Sequence, residues 1–540
     1  MKTTRWAWSL AGILAGAAGL STSYLTANAL SIRESPVVAV AEDVIRLTPG
    51  ALAEAAIDVL GHRDKPVLVA VILLLSVGLF ALVGRLARRS SWAPTLVLLA
   101  LALVAALAVL LPKGTANGSD ALPVAVGFVT WLLALSLLTA PLRTADGAGP
   151  GADATTPADA TTPADATTAA EATGSTDRAG QAGLPESSRR GFLVGAAAMA
   201  GAAAVVGVLG RLVGAGRREV ERIRGLLRLP GVTAPDVPPS ALLGTADVTP
   251  WLTRADDFYR IDTAISVPVI DPAEWQVRIH GLVDREVVVT FDELNAFEKT
   301  EAWVTLNCVS NVVGGNLIGN AWWSGVRIAT LLAEAGVRPG ADAVLQTSED
   351  GWTCATPIEA LTDDRDAMLA LAMNGKPLPI EHGFPVRSIV PGLYGYVSAT
   401  KWVVDLEVTR FADVQAYWTT KGWGERGPVK MSSRIDVPGS GAELEPGEVV
   451  VAGVAWAQHT GIAGVEVSVD GGAWTAGEIA DPGTVDTWVQ WRAVVDLEPG
   501  DHVLQVRATD KDGLVQTGVE RDVLPDGATG WHGVDVSVSA

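Results

Sequence analysis

Residues 305–325 read TLNCVSNVVGGNLIGNAWWSG and place one cysteine, Cys308, in a stretch otherwise dominated by apolar residues, glycine and asparagine. Residues 302–306, AWVTL, predict a short buried strand that ends just before this cysteine. The glycines and asparagines that follow are typical of a loop whose backbone approaches a ligand closely. Residues 325–337, GVRIATLLAEAGV, then predict a helix that ends at Gly336. Its buried face is formed by Ile328, Leu331, Leu332 and Ala335.

Three roles are open to Cys308 from these surroundings. A free cysteine is most often a small buried hydrophobic residue. A thiolate nucleophile needs a base nearby in the fold, and His382 is the candidate. A metal ligand is the third role, although no CxxC or HxxxH motif and no second cysteine at ligand spacing accompanies Cys308. One protein thiolate suits a soft or high-valent metal whose other ligands arrive with a cofactor.

Residues 380–402, IEHGFPVRSIVPGLYGYVSATKW, carry three basic side chains in a mostly apolar, turn-rich stretch: His382, Arg387 and Lys401. Because a buried unpaired cation is costly, an anion should meet them. Protein carboxylates such as Glu381 or Asp405 are one alternative. A phosphate, which arginine and lysine bind well, is the other. By similar reasoning, Arg260 beside Asp262 reads as a surface ion pair.

These motifs together resemble the sulfite oxidase family. The cysteine stretch is similar to the segment in which a strand-end cysteine is the sole protein ligand to a molybdenum ion held by the pterin dithiolene. Residues 275–294, WQVRIHGLVDREVVVTFDEL, residues 347–352, TSEDGW, and residues 371–402 agree with the family in the same order. The resemblance runs from about Phe258 to the C-terminus, roughly half of the chain.

The resemblance implies a molybdenum–molybdopterin cofactor and the residues that hold it. Cys308 is the implied metal ligand and, with Arg260, the implied catalytic residue. The implied pterin contacts are Phe258, Tyr259, Arg260, Ile261, Asp262, Asp350, His382, Arg387, Ala399, Thr400 and Lys401. The fold that the family implies for residues 256–430 is an α+β molybdopterin-binding domain.

Three departures from the sulfite oxidases bear on the substrate. Val312 and Val313 occupy the place of an arginine that faces the oxo group, Thr420 in TTKGW replaces a tyrosine, and Asp262 stands where those enzymes have histidine. Removing a cation from an anion pocket weakens binding strongly, because charge-assisted contacts in a desolvated site are the strong ones. The departures therefore favour a neutral or larger sulfur compound, such as a sulfoxide, over sulfite.

Length and composition predict more than one domain and a membrane region. The chain has 540 residues, of which 49% are hydrophobic, and its mean hydropathy is positive, which is unusual for a soluble protein. Its net charge of −20 argues against a nucleic acid partner, since phosphate binding needs a basic face. Two cysteines, Cys308 and Cys354, are too few for a disulfide framework.

Residues 1–142 predict four transmembrane helices. The uncharged stretches cover residues 6–30, 66–84, 92–112 and 121–142, and each has the length that a hydrocarbon core requires. Acidic residues populate the first connection, whereas Arg85, Arg88 and Arg89 lie in the second. By the positive-inside rule the N-terminus is cytoplasmic, and four spans return the chain to the cytoplasm.

Residues 143–186 contain a six-residue repeat of Ala, Thr, Pro and Asp, a composition that predicts a disordered linker. Residues 187–213 open with Ser-Arg-Arg-Gly-Phe-Leu before an Ala/Gly-rich apolar run, the pattern of a twin-arginine export signal. An ordinary fifth span is the alternative, and in both cases the chain emerges on the extracytoplasmic side. Residues 214–255 then predict a tether rich in Pro and Gly-flanked loops.

Residues 431–540 change character. Short alternating segments separated by Gly, Pro and Asp, including EVVVAGVAWA and VEVSVDGGAW, predict an immunoglobulin-like β-sandwich. In the resembling family the corresponding domain mediates dimerisation, so a homodimer is implied. The tryptophans of this region fit a core or interface better than a ligand site, and they are Trp456, Trp474, Trp488 and Trp491.

The complete interpretation is a multi-pass membrane protein with an extracytoplasmic molybdopterin-dependent oxidoreductase domain. It transfers an oxygen atom on a small substrate, a sulfur compound such as a sulfoxide or sulfite. The sequence contains no CxxCH motif, and the predicted spans contain no histidine that could bind a haem. We therefore expect no haem in this chain and expect electrons to pass through a separate haem protein or quinone-linked membrane protein. Two other classes stay open: a membrane receptor or scaffold that keeps the fold with an empty cavity, and a cysteine hydrolase or transferase.

Overall fold

The computed structural model describes residues 5–30, 35–49, 52, 64–110, 118–147, 186–213 and 215–539. Most of the predicted linker, residues 148–185, lies outside the described residues. The chain divides into two compact units. The first contains residues 1–44 and 62–215, and the second contains residues 45–61 and 216–540.

The first unit is helical. Its helices are α1 (Arg5–Ala29), α2 (Pro36–Leu47), α3 (Asp64–Ala87), α4 (Ala93–Leu110), α5 (Leu122–Gly147) and α6 (Glu186–Val213). Among the described residues, five of them are long and apolar enough to cross a membrane: α1, α3, α4, α5 and α6. Many of their large apolar side chains, including Leu74 and Leu137, are exposed. The positions of these five helices agree with the predicted spans.

Small residues allow α1 to pack closely in this unit. A Cβ at Gly12 would lie 2.0 Å from the carbonyl oxygen of Phe80 on α3, so the two backbones are closer than a side chain would permit. The indole Nε1 of Trp131 on α5 donates a hydrogen bond of 3.1 Å to Gly16 O. Glycine and alanine on α1 thus provide its contact surface.

The second unit begins with α7 (Ala215–Leu226). The remaining helices of this unit are α8 (Phe291–Ala296), α9 (Ile328–Ala335), α10 (Ile358–Thr362) and α11 (Gly395–Ser398). Val220 of α7 is buried in one core cluster together with Phe258 and Phe384. The segment predicted as a tether therefore contains a helix that packs against the body of this unit.

One five-stranded sheet of the second unit has the order β2-β1-β10-β5-β6. Its strands are β1 (Gln276–Gly281), β2 (Val287–Thr290), β5 (Ala343–Ser348), β6 (Thr353–Pro357) and β10 (Val403–Thr409). Strands β1 and β10 run parallel, and the other pairs are antiparallel. Helix α8 begins with a capping box. The Thr290 side chain accepts a hydrogen bond from Glu293 N, and the Glu293 side chain accepts one from Thr290 N.

A second sheet carries Cys308 and has the order β3-β4-β7-β8, with β9 paired to β7. Its strands are β3 (Thr300–Asn307), β4 (Ile318–Arg327), β7 (Met368–Met373), β8 (Lys376–Pro377) and β9 (Arg387–Ile389). Strand β3 ends one residue before Cys308, which confirms the predicted buried strand. Helix α9 follows β4 directly and ends at Gly336 with a φ of +73°. Its four predicted core residues are all buried, as the periodicity required.

Residues 431–540 form two further sheets. The first, in the order β11-β13-β17-β16, contains β11 (Ser432–Val437), β13 (Gly447–Trp456), β16 (Glu478–Ile479) and β17 (Val489–Leu497). The second, in the order β12-β19-β18-β14-β15, contains β12 (Ala442–Leu444), β14 (Ile462–Val469), β15 (Trp474–Ala476), β18 (Gly500–Asp510) and β19 (His532–Val538). Both sheets contribute side chains to one apolar core. The immunoglobulin-like assignment of this two-sheet region stays a prediction.

Candidate active site

Cys308 lies at the start of a closed loop between β3 and β4. Its backbone N–H donates to Leu317 O at 3.0 Å, and its carbonyl oxygen accepts from Asn311 N at 3.0 Å. The side-chain oxygen of Asn311 accepts from Leu317 N at 2.9 Å, so a single asparagine joins both ends of the loop. Cys308 as a whole residue is half-buried.

A cavity of about 110 Å³ opens beside this thiol. Most of the site residues predicted from the sequence line it, and they are Phe258, Tyr259, Ile261, Asp262, Cys308, Asp350, His382, Arg387, Ala399 and Lys401. These residues come from segments spread over more than a hundred positions of the chain. The structure thus brings together all of the predicted site residues except Arg260 and Thr400.

Arg387 forms the cationic wall of the cavity. Its side chain is buried, and its guanidinium donates two long hydrogen bonds, to His382 O at 3.2 Å and to Ala399 O at 3.4 Å. Its Nε is buried without a partner in the described part of the chain, and the guanidinium lies 5.1 Å from the Trp323 ring centroid. Burial lowers the pKa of Arg387 to about 10, because the charged form is poorly solvated. No carboxylate among the described residues pairs with it.

Lys401 is a different case because a carboxylate meets it. Its ammonium donates to Asp262 at 2.9 Å and to Glu381 O at 3.3 Å, and burial lowers its pKa although Asp262 acts in the opposite direction. Arg260 also pairs with Asp262 at 2.9 Å, with its own side chain 42% exposed. Arg260 and Asp262 do form the expected ion pair, but it is not a surface pair, because the Asp262 side chain is only 5% exposed. Arg260 does not line the cavity.

The two carboxylates proposed from sequence to neutralise the basic cluster have other partners. Glu381 pairs with Arg217 of α7. Asp405 accepts from Arg278 at 3.0 Å and pairs with His280 at 2.8 Å. Neither carboxylate meets Arg387, so the protein-carboxylate alternative is wrong for this cation.

His382 is neutral and already hydrogen-bonded. Its Nε2 lies 3.0 Å from Ala255 O, and an acceptor of this kind requires the proton on Nε2. Burial, followed by the nearby charges of Arg387 and Lys401, lowers its pKa to about 4. Burial also raises the pKa of the Cys308 thiol. A thiolate–imidazolium pair of the kind a cysteine hydrolase uses is therefore disfavoured here.

An aromatic wall, defined as Tyr396, Trp418 and Trp423, lines another part of the cavity. The ring centroids of Tyr396 and Trp423 are 5.9 Å apart, and those of Trp418 and Trp423 are 6.3 Å apart. The Tyr396 hydroxyl donates to Gly424 O at 2.7 Å, which fixes the ring. Sequence reasoning missed all three residues. The TTKGW motif ends at Trp423 and was the sequence signal that could have identified this one residue of the wall.

The remaining predicted positions lie elsewhere. Thr400 is fully buried, and its hydroxyl contacts the sulfur of Cys354 at 3.1 Å instead of the cavity. Val312 is 57% exposed, and neither it nor Val313 lines the cavity. Thr420 is exposed and donates to Tyr417 O. The departures at Val312, Val313 and Thr420 therefore lie outside the cavity lining and do not determine its charge.

The residues present fit an anionic cofactor that carries a metal. The orphaned Nε of Arg387 is a strong donor that lacks an acceptor, and a phosphate supplies the acceptor oxygens that arginine binds best. Cys308 offers one sulfur ligand at the same cavity, which is the donor type that a soft or high-valent metal prefers. The cavity thus has the donors that a metal-bearing organic anion requires.

Comparison with known proteins identifies the family. Residues 264–418 match the family model described as the oxidoreductase molybdopterin binding domain. The chain is 34% identical over 165 residues to the uncharacterized oxidoreductase YuiH of Bacillus subtilis, covering 31% of this chain and 80% of that protein. It is 28% identical over 358 residues to mitochondrial sulfite oxidase of Mus musculus, covering 56% of this chain and 63% of the mouse protein. The chain belongs to the sulfite oxidase family and is a molybdenum-cofactor oxidoreductase.

A solved structure is also similar in part. The sulfane dehydrogenase SoxCD from Paracoccus pantotrophus aligns with a TM-score of 0.48 at 24% identity, over 58% of this chain and 86% of that chain. The chain spans less than two thirds of the mouse sulfite oxidase, so the activity of that whole enzyme does not transfer to it directly.

Proposed function

We propose that this protein is a membrane-anchored, extracytoplasmic oxidoreductase that transfers an oxygen atom on a small uncharged sulfur compound, such as a sulfoxide. The observation that carries this proposal is the charge distribution of the cavity. Lys401 is matched by Asp262, His382 is neutral, and Arg387 is the one lining cation without a protein counter-charge in the described residues. If Arg387 meets the cofactor phosphate, no cation is left for an anion such as sulfite.

In this proposal the cofactor contacts follow the resemblance. Cys308 is the metal ligand, and Arg387 and Lys401 hold the pterin phosphate. The segment 258–262 and Asp350 line the pterin, with Arg260 acting from outside the cavity through Asp262. When bound, the molybdenum cofactor supplies two-electron oxygen-atom transfer. Thr400 contributes through its backbone, since its side chain faces Cys354.

The protein's own residues orient the reactants and exclude water. His382 donates from Nε2 to Ala255 O and stays neutral, so its Nδ1 is a hydrogen-bond acceptor. Burial, and then Cys308, raise the pKa of Tyr259, so its hydroxyl keeps its proton and serves as a hydrogen-bond donor. The aromatic wall presents apolar ring faces to the alkyl groups of a sulfoxide.

Electrons must enter or leave through another protein. In the balanced step a dialkyl sulfoxide takes up two electrons and two protons, its sulfur–oxygen bond breaks, and the products are the dialkyl sulfide and one water molecule. A haem protein or a quinone-linked membrane protein supplies the electrons. No CxxCH motif occurs in the sequence, which supports an external carrier. Five apolar helices support a membrane anchor, and the arginine distribution in the connections supports an extracytoplasmic catalytic region.

Residues 431–540 are proposed to be an immunoglobulin-like domain through which two copies associate. Their two sheets with a shared core support the sandwich assignment. Trp456, Trp488 and Trp491 are buried, which supports a structural role for them and leaves a dimer contact to other residues of the region.

Molybdenum and pterin analysis of the full-length protein tests the assignment. We expect molybdenum in the wild type, loss of it in Cys308→Ser, and retention in the matched control Cys354→Ser, since the sulfur of Cys354 contacts Thr356 and Thr400 and does not line the cavity. A dye-linked screen of sulfoxides, sulfite and nitrate should then give activity with sulfoxides. A wild type without molybdenum from cofactor-replete cells would favour the scaffold alternative instead.

A further inference from the structure

Arg434 of β11 joins the Cys308 loop to two other segments. Its guanidinium donates to Gly315 O at 2.6 Å, to the carboxylate of Asp436 at 2.7 Å and to the hydroxyl of Thr249 at 2.8 Å. The residue is only 8% exposed. Hydrogen bonds from a buried guanidinium are charge-assisted, and its planar fork fixes the direction of each one.

The residues around Cys308 are held from the same region of the chain. On the strand side, Thr305 N donates to Asp486 O at 2.9 Å, and the Thr305 hydroxyl accepts from Trp488 N at 2.9 Å. On the loop side, Gly314 has a φ of +74°, and a Cβ there would lie 2.2 Å from the His532 ring. Residues 431–540 therefore contact the chain on both sides of the thiol.

Asp436 ties this arrangement together. Its second carboxylate oxygen accepts from Thr249 N at 3.0 Å, while its first neutralises Arg434. Within the loop itself, Asn311 bonds Cys308 and Leu317, and Gly315 N donates to Val312 O at 2.9 Å, whereas Arg434 supplies the charged hydrogen bond to the Gly315 carbonyl. Without Arg434, the Gly315 carbonyl loses its charged partner and the loop loses this hydrogen bond to β11.

We propose that Arg434 is a positioning residue that fixes the loop so that the Cys308 sulfur is presented to the cavity. The proposal rests on the proposed role of Cys308 as the metal ligand. Arg434 touches neither the cavity lining nor the thiol and acts through the Gly315 carbonyl. The C-terminal two-sheet region would then be part of the working site in addition to any role in association.

The test uses the full-length protein in detergent, purified from cells that do not make the cofactor. Iodoacetamide is added, and the modified fraction of each cysteine is followed by mass spectrometry. In Arg434→Gln we expect Cys308 to react at least about tenfold faster than in the wild type, the change that about 1.4 kcal/mol of local opening produces. Cys354, which is fully buried, serves as the internal reference and should not change.

The matched control is Arg492→Gln. Arg492 also pairs with a carboxylate, Glu478, and donates to a backbone carbonyl of the preceding segment, Leu243 O, but it does not contact the Cys308 loop. Its variant should leave the Cys308 rate unchanged. If Arg434→Gln fails to fold, Arg434→Lys keeps the charge beside Asp436 without the fork, and it should still accelerate Cys308 selectively.

Equal acceleration of Cys308 and Cys354 would assign Arg434 a general stabilising role and overturn the proposal. A Cys308 rate that is not raised in Arg434→Gln and Arg434→Lys would also overturn it. Molybdenum content in cofactor-replete cells gives the second readout, which should fall in Arg434→Gln and stay high in Arg492→Gln. A wild type that lacks molybdenum refutes the metal-ligand role of Cys308, whereas the alkylation ratio judges the positioning role separately.

Discussion

Arg387 is the residue on which the cavity's chemistry depends. A guanidinium with two long contacts to carbonyl oxygens and an orphaned Nε is costly to bury, because those contacts do not replace its hydration. The lowered pKa of about 10 expresses the same cost. Burying such a residue is physically reasonable when an anion completes its hydrogen bonds, and in the proposed function that anion is the cofactor phosphate.

Arg387→Met should therefore separate stability from cofactor binding. In cofactor-free protein we expect the variant to be more stable than the wild type, by about 1–3 kcal/mol, the cost of an unsatisfied buried polar group. In cofactor-replete cells the same variant should retain little molybdenum. Thermal melting of the cofactor-free protein and metal analysis of the loaded protein measure the two effects.

Arg365→Met is the matched control for this prediction. Arg365 is also largely buried, but it pairs with Asp363 at 2.8 Å and donates to Pro391 O at 2.9 Å. Removing it breaks satisfied contacts, so its variant should melt at a lower temperature. If Arg387→Met also melts lower than the wild type, the cavity does not hold an uncompensated cation.

At the scale of elements, the turn at Gly383 sets the spacing of the basic cluster. Gly383 has a φ of +109°, and a Cβ there would lie 2.9 Å from Arg387 Cβ and 3.2 Å from Lys401 Cα. A side chain at this position would strain the backbone and push both cations out of place.

Gly383→Ala should lower stability and cofactor content together, whereas Gly336→Ala should lower stability alone. Gly336 also has a positive φ, +73°, and a Cβ there would meet Asp284 at 2.8 Å, but it ends α9 away from the cavity. The strain of each substitution is about 1–2 kcal/mol. Thermal melting and molybdenum analysis of both variants make the comparison, and equal molybdenum loss in the two would remove the special role of the Gly383 turn.

Sequence periodicity predicted the elements whose signal is local. The apolar run before Cys308 became β3, and the 3.6-residue spacing of Ile328, Leu331 and Leu332 became the buried face of α9. The side-chain direction of Thr400 was not predictable, since the tight turn after α11 decides it. The aromatic wall and the Arg434 contact depend on segments that meet only in the folded chain, and no local pattern encodes such meetings.

At the scale of the whole molecule, the distribution of charged residues along the sequence predicts on which side of the membrane each segment lies. Arg85 lies in the last turn of α3, Arg88 and Arg89 follow before α4, and acidic residues follow the first apolar helix. In the proposed topology, the positive-inside rule predicts that residues 148–185 are cytoplasmic and residues 216–540 extracytoplasmic. The arginines at 211, 217, 218, 222 and 224 oppose this arrangement, because the rule counts arginine and lysine near the ends of a span.

Labelling with a membrane-impermeant maleimide tests this topology and the export route together. In intact spheroplasts, Asp512→Cys, in an exposed turn of the C-terminal region, should be labelled above the unsubstituted background, and Ser175→Cys in the linker only after permeabilisation. Reversed labelling would refute the orientation. If Arg189 and Arg190 belong to a twin-arginine signal, replacing both with lysine should leave Asp512→Cys protected, because export of folded, cofactor-loaded protein depends on that pair. Continued labelling in the double variant would instead assign residues 187–213 to an ordinary fifth span.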